Sequence, residues 1–232
     1  MTTATTAEIL TRPAPFGKDV IDAEGRLLSH VLGAGVDQGA APLRSETLGD
    51  NLVAQIERFP DREAIVDVFA DVRLSYREFG DRVDRLAAAL LRCGLRRGDR
   101  VGIWSTNRWE WPIVSYACHR LGLILVNINP AYRQSELNYV LEKAGVTCVF
   151  AARRYKDSDY RTMLIEASKQ RGVDLREVIY FGSEQWKEIL GRDVNGDRAD
   201  LDAAIAQVEA TDPVNIQFTS GTTGFPKGAT LT

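Results

Sequence analysis

Residues 212–229 read DPVNIQFTSGTTGFPKGA, a short apolar run followed directly by a loop rich in glycine and hydroxyl residues. The run Val214–Phe218 alternates between apolar and polar residues, which is typical of a strand. The ten residues from Thr219 to Gly228 include three glycines, four hydroxyl residues and one lysine. This stretch therefore predicts a strand that ends in a phosphate-binding loop.

The loop supplies donors that suit phosphate oxygens. Gly221 and Gly224 permit turns and close backbone approach, so that successive backbone N–H groups can form an anion-binding concavity. Lys227 adds a positive charge, and Phe225-Pro226 before it stiffens the exit of the loop. Hydroxyl donors are contributed by Thr219, Ser220, Thr222 and Thr223.

Two common phosphate loops do not fit this spacing. The NTPase loop G-x-x-x-x-G-K-[ST] requires a second glycine five residues after the first, where this chain has Pro226, and Lys227 is followed by Gly228. The dinucleotide fingerprint G-x-G-x-x-G is also absent, because the glycines stand at 221, 224 and 228. A flexible Ser/Thr/Gly linker is disfavoured by the Pro-Lys-Gly sequence so close to an apolar strand.

The chain before the loop alternates between strand and helix patterns. Strands are predicted over residues 64–69, 100–104, 123–127, 146–150, 177–181 and 214–218. Helices are predicted over residues 47–59, 75–93, 109–121, 135–144, 157–170, 183–190 and 198–209. This alternation predicts an α/β fold with a mainly parallel sheet and helices on both faces. Ligands of such sheets bind beyond the carboxyl ends of the strands, where the predicted loop lies.

Composition excludes several other classes of protein. The 232 residues are 44% hydrophobic and 26% charged, and the net charge of −3 gives no sign of a nucleic-acid partner. The apolar runs, such as residues 86–91 and 121–126, do not exceed six residues and are too short for a transmembrane segment. The start of the sequence does not resemble a secretory signal. Cys93, Cys118 and Cys148 lack metal or redox spacing, so we expect them to be reduced packing residues in a cytoplasmic protein.

Other conspicuous residues are interpreted as structural. Trp104, Trp109 and Trp111 lie close together near a strand end, and core packing is the favoured role. His119 is assigned to packing or the surface. Residues 193–197 (DVNGD) suggest a calcium loop but lack the complete ligand spacing, so a solvated turn is favoured.

The terminal stretch resembles the signature of the adenylate-forming superfamily, which includes acyl-CoA synthetases, peptide adenylation domains and luciferases. The segment FTSGTTGFPKGA carries the likeness, and four upstream segments agree with it. These are SYREF (75–79), GLRRGDRVGIW with Asn107 (94–107), NINPAYRQSELNYVL (127–141) and DPVNIQ (212–217). Within the superfamily, the sequence of these segments most resembles that of fatty-acyl-CoA synthetases, and the resemblance covers about residues 45–232.

The resemblance implies a reaction and its ligands. Members form an acyl-adenylate from a carboxylic acid and MgATP, and then transfer the acyl group to coenzyme A. ATP, Mg2+, coenzyme A and a fatty acid are thus the implied ligands. The residues that would hold the ATP phosphates are Thr219, Ser220, Gly221, Thr222, Thr223, Gly224 and Lys227. The resemblance places no catalytic acid or base in this chain and leaves the metal ligands unassigned.

The resemblance also implies a domain organisation. Residues 1–45 are expected to be an N-terminal extension, and residues 46–232 the N-terminal part of an AMP-binding adenylation domain that is cut after the phosphate loop. Members are twice as long or more, so the 232-residue chain alone is expected to be inactive. Two alternatives stay open: a truncated phosphate-binding or interaction module, and one half of a split enzyme that pairs with a complementary C-terminal half.

Overall fold

A computed structural model describes residues 46–219 and 226–232 of the chain. Its strands are β1 (Glu63–Asp67), β2 (Val72–Ser75), β3 (Arg100–Trp104), β4 (Ile124–Asn127), β5 (Val146–Ala151), β6 (Arg154–Tyr155), β7 (Ser158–Asp159), β8 (Glu177–Tyr180), β9 (Asn215–Thr219) and β10 (Lys227–Leu231). Its helices are α1 (Leu48–Arg58), α2 (Tyr76–Arg92), α3 (Glu110–Arg120), α4 (Gln134–Ala144), α5 (Tyr160–Ser168), α6 (Glu184–Gly191) and α7 (Arg198–Ile205), with a short 3-10 helix at Asn195–Asp197.

Six strands form the main sheet, in the order β10-β9-β4-β3-β5-β8. The pairs β9–β4, β4–β3, β3–β5 and β5–β8 are all parallel, and only β10 runs antiparallel to its neighbour. The predicted α/β fold with a mainly parallel sheet is therefore confirmed. Two further antiparallel pairs, β1–β2 and β6–β7, lie outside this sheet.

Helices cover both faces of the sheet, as the alternation of strands and helices predicts. On the first face, α1, α2, α3, α6 and α7 pack in one apolar cluster with sheet residues such as Val101 and Phe150. On the second face, α4 and α5 pack in another cluster with residues such as Val126 and Val149. Val101 and Val149 lie on central strands and are fully buried, so the main core lies directly on the sheet.

Local signals in the sequence set the ends of the helices. At the start of α2, the Glu78 amide donates to the Ser75 hydroxyl and the Ser75 amide donates to the Glu78 carboxylate, at 3.2 and 2.8 Å. This is the predicted capping box. At the end of α4, Gly145 adopts φ 62°, in the left-handed region that favours glycine. Both boundaries were predictable because each depends only on residues within one turn of the helix.

Several segments differ from the sequence prediction, among them strand β10, helix α7, which ends at Ile205, and the two segments described next. The strand expected over 64–69 ends at Asp67, because the Asp67 carboxylate accepts the Phe69 and Ala70 amides at 3.1 and 3.0 Å and forms a turn. The turn leads into β2, which the sequence analysis missed, and it leaves the Phe69 side chain exposed. The helix expected over 157–170 is α5, which begins only after the β6–β7 hairpin.

The segment between α6 and β9 is held by arginine–carboxylate pairs. Arg97 donates to both carboxylate oxygens of Asp212, at 2.8 and 2.6 Å, and Arg92 pairs with Asp197. Asp197 is thus engaged in an ion pair within the stretch that suggested a calcium loop. Among residues 46–219 and 226–232, no group of three or more His, Cys, Asp or Glu side chains could hold a metal ion. The stretch is not the simple solvated turn that was favoured, because Asn195–Asp197 form a 3-10 helix that leads directly into α7.

Candidate functional site

Strands β3 and β4 are neighbouring parallel strands whose following helices pack on opposite faces of the sheet. Helix α3 follows β3 and packs on the first face of the sheet, whereas α4 follows β4 and packs on the second face. The loops after the two strands therefore leave in opposite directions and open a crevice between them. Such a switch point at the carboxyl ends of the strands is where open α/β sheets bind ligands.

A cleft of about 700 Å³ occupies this switch point. It is called the switch cleft below and is lined by residues from the ends of β3, β4 and β9. The lining residues are Ser105, Thr106, Asn107, Trp111, Asn127, Ile128, Asn129, Pro130, Tyr132, Gln217 and Phe218. Hydroxyl and amide side chains alternate with aromatic and apolar ones, so the cleft can accept both a polar group and an apolar one.

Strands β9 and β10 form a hairpin beside the switch cleft. Thr219 and Lys227 are partners across this hairpin, and the Thr219 hydroxyl donates to the Lys227 carbonyl at 3.4 Å. The Lys227 side chain is exposed, and no carboxylate of the described residues forms an ion pair with it. The hairpin therefore brings together the first and last members of the predicted phosphate-binding set. The other members, Ser220, Gly221, Thr222, Thr223 and Gly224, lie outside the described residues.

The third glycine of the loop has a packing role that the sequence analysis did not assign. Gly228 stands opposite Phe218 in the hairpin. A Cβ atom at Gly228 would lie 3.1 Å from a methyl carbon of Ile216 and 3.4 Å from the Phe218 ring. Glycine therefore allows the Phe218 side chain to lie across the hairpin backbone next to the loop.

Two buried aromatic residues fix the floor of the switch cleft. The rings of Trp104 and Tyr160 stack with centroids 3.5 Å apart. Trp104 Nε1 donates to the Asn129 carbonyl at 3.0 Å, and the Tyr160 hydroxyl donates to the Pro130 carbonyl at 2.6 Å. Burial raises the pKa of the Tyr160 phenol, so its hydroxyl remains a donor. The predicted packing role is confirmed for Trp104, and Trp109 and Trp111 also pack, partly buried, against the first apolar cluster. Trp111 in addition lines the cleft.

Amide side chains join β4 to β9 at the back of the cleft. Asn215 Nδ2 donates to the Leu125 carbonyl at 3.1 Å and to the Asn127 side chain at 3.2 Å. Sequence reasoning missed Asn127, Asn129 and Gln217 as cleft residues. Each of the three is a polar residue at or just after the end of an apolar strand, which is a signal that the sequence offers. That the three line one cleft, however, depends on which strands are neighbours in the sheet.

Other titratable groups lie away from the cleft. His119 is largely buried on α3, and burial lowers its pKa to about 4, so that a packing role is supported. Cys118 and Cys148 are buried free thiols whose pKa values are raised by that burial, and Cys93 is a free thiol on the surface. The predicted packing role is supported for Cys118 and Cys148, whose buried thiols are unsuited to nucleophilic chemistry, whereas it is wrong for the exposed Cys93.

The fold and the cleft define an α/β protein with a candidate ligand site at the carboxyl ends of a mainly parallel sheet. A family model described as AMP-binding enzyme matches residues 52–232. Because that match covers well over half of the chain, the chain belongs to the AMP-binding enzyme family. The resemblance inferred from the terminal signature is thereby confirmed.

Curated relatives agree with this family. The chain is 39% identical over 207 residues to the mitochondrial medium-chain acyl-CoA ligase ACSF2 of Danio rerio, which covers 82% of this chain and 34% of the relative. The Rattus norvegicus protein of the same name is 38% identical over 241 residues, covering 95% of this chain and 37% of the relative. The chain therefore spans about a third of the length of these relatives.

A solved structure supports the fold independently. A fatty acyl CoA synthetase from Mycobacterium tuberculosis matches 80% of this chain and 34% of its own length, with a TM-score of 0.60 at 21% identity. This likeness concerns the fold alone. Within the described ranges, no helix has the length and apolarity needed to cross a membrane.

Proposed function

We propose that the chain is part of an ATP-dependent acyl-CoA synthetase that activates a fatty acid as its adenylate and transfers it to coenzyme A. The observation that carries the proposal is the β9–β10 hairpin, which pairs Thr219 with an exposed Lys227 beside the switch cleft. The relatives named above are acyl-CoA ligases, which supports the same activity.

In this proposal the hairpin loop holds the phosphates of ATP. Lys227 offsets negative charge as pyrophosphate departs, and Thr219 supplies a hydroxyl donor. Ser220, Gly221, Thr222, Thr223 and Gly224 complete the proposed set between these two residues. None of the seven residues acts as an acid or a base, so their contribution is electrostatic and positional.

The described residues fit the phosphates of ATP better than they fit an independent metal site. Hydroxyl, amide and ammonium groups surround the hairpin and the cleft, and no acidic metal-binding cluster occurs within residues 46–219 and 226–232. A magnesium ion would be held by phosphate oxygens together with one or two carboxylates, as is common for nucleotide enzymes, and we assign none of the described residues to it. When bound, it would neutralise phosphate charge.

The acyl substrate is proposed to be a fatty acid, and medium chain length is the first choice because the named relatives are medium-chain acyl-CoA ligases. We further propose that residues 46–232 form the N-terminal part of the adenylation domain and that residues 1–45 are an extension. The cytoplasm is proposed as the compartment, although the relatives just named are mitochondrial.

We expect these 232 residues alone to bind nucleotide phosphates without turning over substrate. Calorimetric titration of the purified chain with MgATP should give saturable binding. Lys227→Ala should weaken that binding about 10- to 100-fold, because a charge-assisted contact to phosphate contributes about 1.5–3 kcal/mol. Lys187→Ala is the matched control, since Lys187 pairs with Glu184 at 2.6 Å on α6 and should leave the affinity unchanged.

An assay of the same protein with a medium-chain fatty acid, MgATP and coenzyme A should give no acyl-CoA. Turnover at the rate of a complete ligase would contradict this expectation. Absence of MgATP binding would instead favour the alternative of an interaction module. Turnover that appears only on adding a separate C-terminal half would favour the split enzyme.

A further inference from the structure

Tyr139 of α4 contacts both ends of the loop between β9 and β10. Its hydroxyl donates to the Pro226 carbonyl at 3.0 Å. Its ring meets the Phe218 ring edge to face, with centroids 6.3 Å apart and an interplanar angle of 76°. Phe218 directly precedes Thr219, and Pro226 directly precedes Lys227. One side chain therefore holds the residue before each end of the proposed phosphate site.

The anchor point of this side chain is rigid. On α4, the neighbouring residues Leu137, Val140 and Leu141 are fully buried in the second apolar cluster. Pro226 has no backbone N–H, so its carbonyl is the only backbone hydrogen-bonding group through which it can be held. The Tyr139 hydroxyl donates a hydrogen bond to that carbonyl, and the bond links the exposed end of the hairpin to the buried core.

The Phe218 contact extends this link across the hairpin. The Phe218 ring lies over Gly228, its cross-strand partner, where a Cβ atom would be 3.4 Å from the ring. A movement of the Tyr139 ring would therefore be transmitted to both strands. Thr219 follows Phe218 by one residue, and Lys227 follows Pro226 by one residue. The distance between Thr219 and Lys227 therefore depends on the register of the hairpin.

We propose that Tyr139 is a positioning residue for phosphate binding, which sets the placement of Thr219 and Lys227 through Phe218 and Pro226. The phosphate part of this inference rests on the proposed function. The hydroxyl and the ring have separable roles. The ring packs, whereas the hydroxyl fixes the Pro226 carbonyl and hence the backbone that carries Lys227.

Tyr139→Phe tests the hydroxyl while keeping the ring, and Tyr116→Phe is the matched control. Tyr116 packs against Phe79 in the first apolar cluster, on the opposite face of the sheet. Hydrogen exchange should show the amides of residues 217–219 and 227–229 exchanging about fivefold faster in Tyr139→Phe, because the hydrogen bond that links the hairpin to α4 is lost. The amides of β3 and β5 should keep their wild-type rates, and Tyr116→Phe should leave the hairpin unchanged.

Titration with inorganic pyrophosphate and Mg2+ is the second readout. Tyr139→Phe should raise the Kd about two- to tenfold, the factor expected for one net hydrogen bond. In a Lys227→Gln background, the same substitution should change the Kd less than twofold, because the residue it positions has been removed. A purely structural role for Tyr139 would instead give additive effects.

The outcomes separate this inference from the proposed function. Unchanged hairpin exchange, equal pyrophosphate affinity in wild type and Tyr139→Phe, or additivity with Lys227→Gln would each overturn the positioning role while wild-type binding still supports the proposed function. Failure of the wild-type chain to bind pyrophosphate would overturn both.

Discussion

The floor of the switch cleft and the β9–β10 hairpin are held in place by different means. The floor loop is fixed by Trp104 and Tyr160, two fully buried stacked rings that each donate a hydrogen bond to a loop carbonyl. The β9–β10 hairpin pairs with β4 at the edge of the main sheet, and its end, where Thr219 and Lys227 are exposed, is held by the half-buried Tyr139. The floor is therefore part of the buried core, whereas the end of the hairpin lies exposed at the edge of the main sheet.

This difference matches the tasks that we propose for the two regions. A cleft floor must keep its shape before the ligand arrives, and burying its anchors in the core achieves this. A phosphate loop needs exposed donors and a free positive charge, which cannot be buried without a large desolvation cost. Substitutions in the floor should therefore change stability first, and substitutions in the hairpin should change affinity first.

The largest effect is expected for Trp104→Ala. Removal of this fully buried ring should lower the free energy of unfolding by about 3–5 kcal/mol, because it leaves a cavity and two unsupported partners. Urea denaturation followed by circular dichroism measures the change. Phe69→Ala is the control, since that ring is fully exposed and its removal should change the free energy by less than about 0.5 kcal/mol. Equal effects of the two substitutions would break the distinction between floor and periphery.

A smaller effect on stability is expected for Gly228→Ala. The added methyl group would crowd Ile216 and Phe218, so we expect a loss of about 1 kcal/mol in the free energy of unfolding. Weaker pyrophosphate binding should accompany it, because Phe218 leads into Thr219. Gly191→Ala, where a Cβ would meet no atom within 4 Å, should be neutral or stabilising. Unaltered pyrophosphate affinity in Gly228→Ala would show that Phe218 packing does not influence the loop.

Much of the fold was predictable because its signals are local. Strand β3 occurs over Arg100–Trp104 as predicted, and α2 begins at the Ser75 capping box. Strand β10 was not predicted, because its residues are mostly exposed and its partner is identified only once the chain has turned back on β9. Local pattern could not reveal a strand that is defined by its pairing.

Only those residues of the candidate site that lie close together in the sequence could be predicted. The sequence identified Thr219 and Lys227 from their chemistry, and the structure places them opposite each other. Asn129 and Gln217 could not be assigned to one cleft from the sequence, since they line the same cleft only because β4 pairs with a strand some ninety residues later. Tyr139 was missed for the same reason: its partner Pro226 lies 87 residues away.

The central claim is that the hairpin loop binds the phosphates of ATP, and lysine footprinting tests it most directly. The chain is treated with an amine-reactive acetylating reagent with and without saturating MgATP, and each lysine is quantified by mass spectrometry. We predict strong protection of Lys227 by MgATP and by pyrophosphate, with no change at Lys169 and Lys187, which are paired with neighbouring glutamates on other helices. An equal rate of acetylation at Lys227 with and without saturating MgATP would contradict the claim.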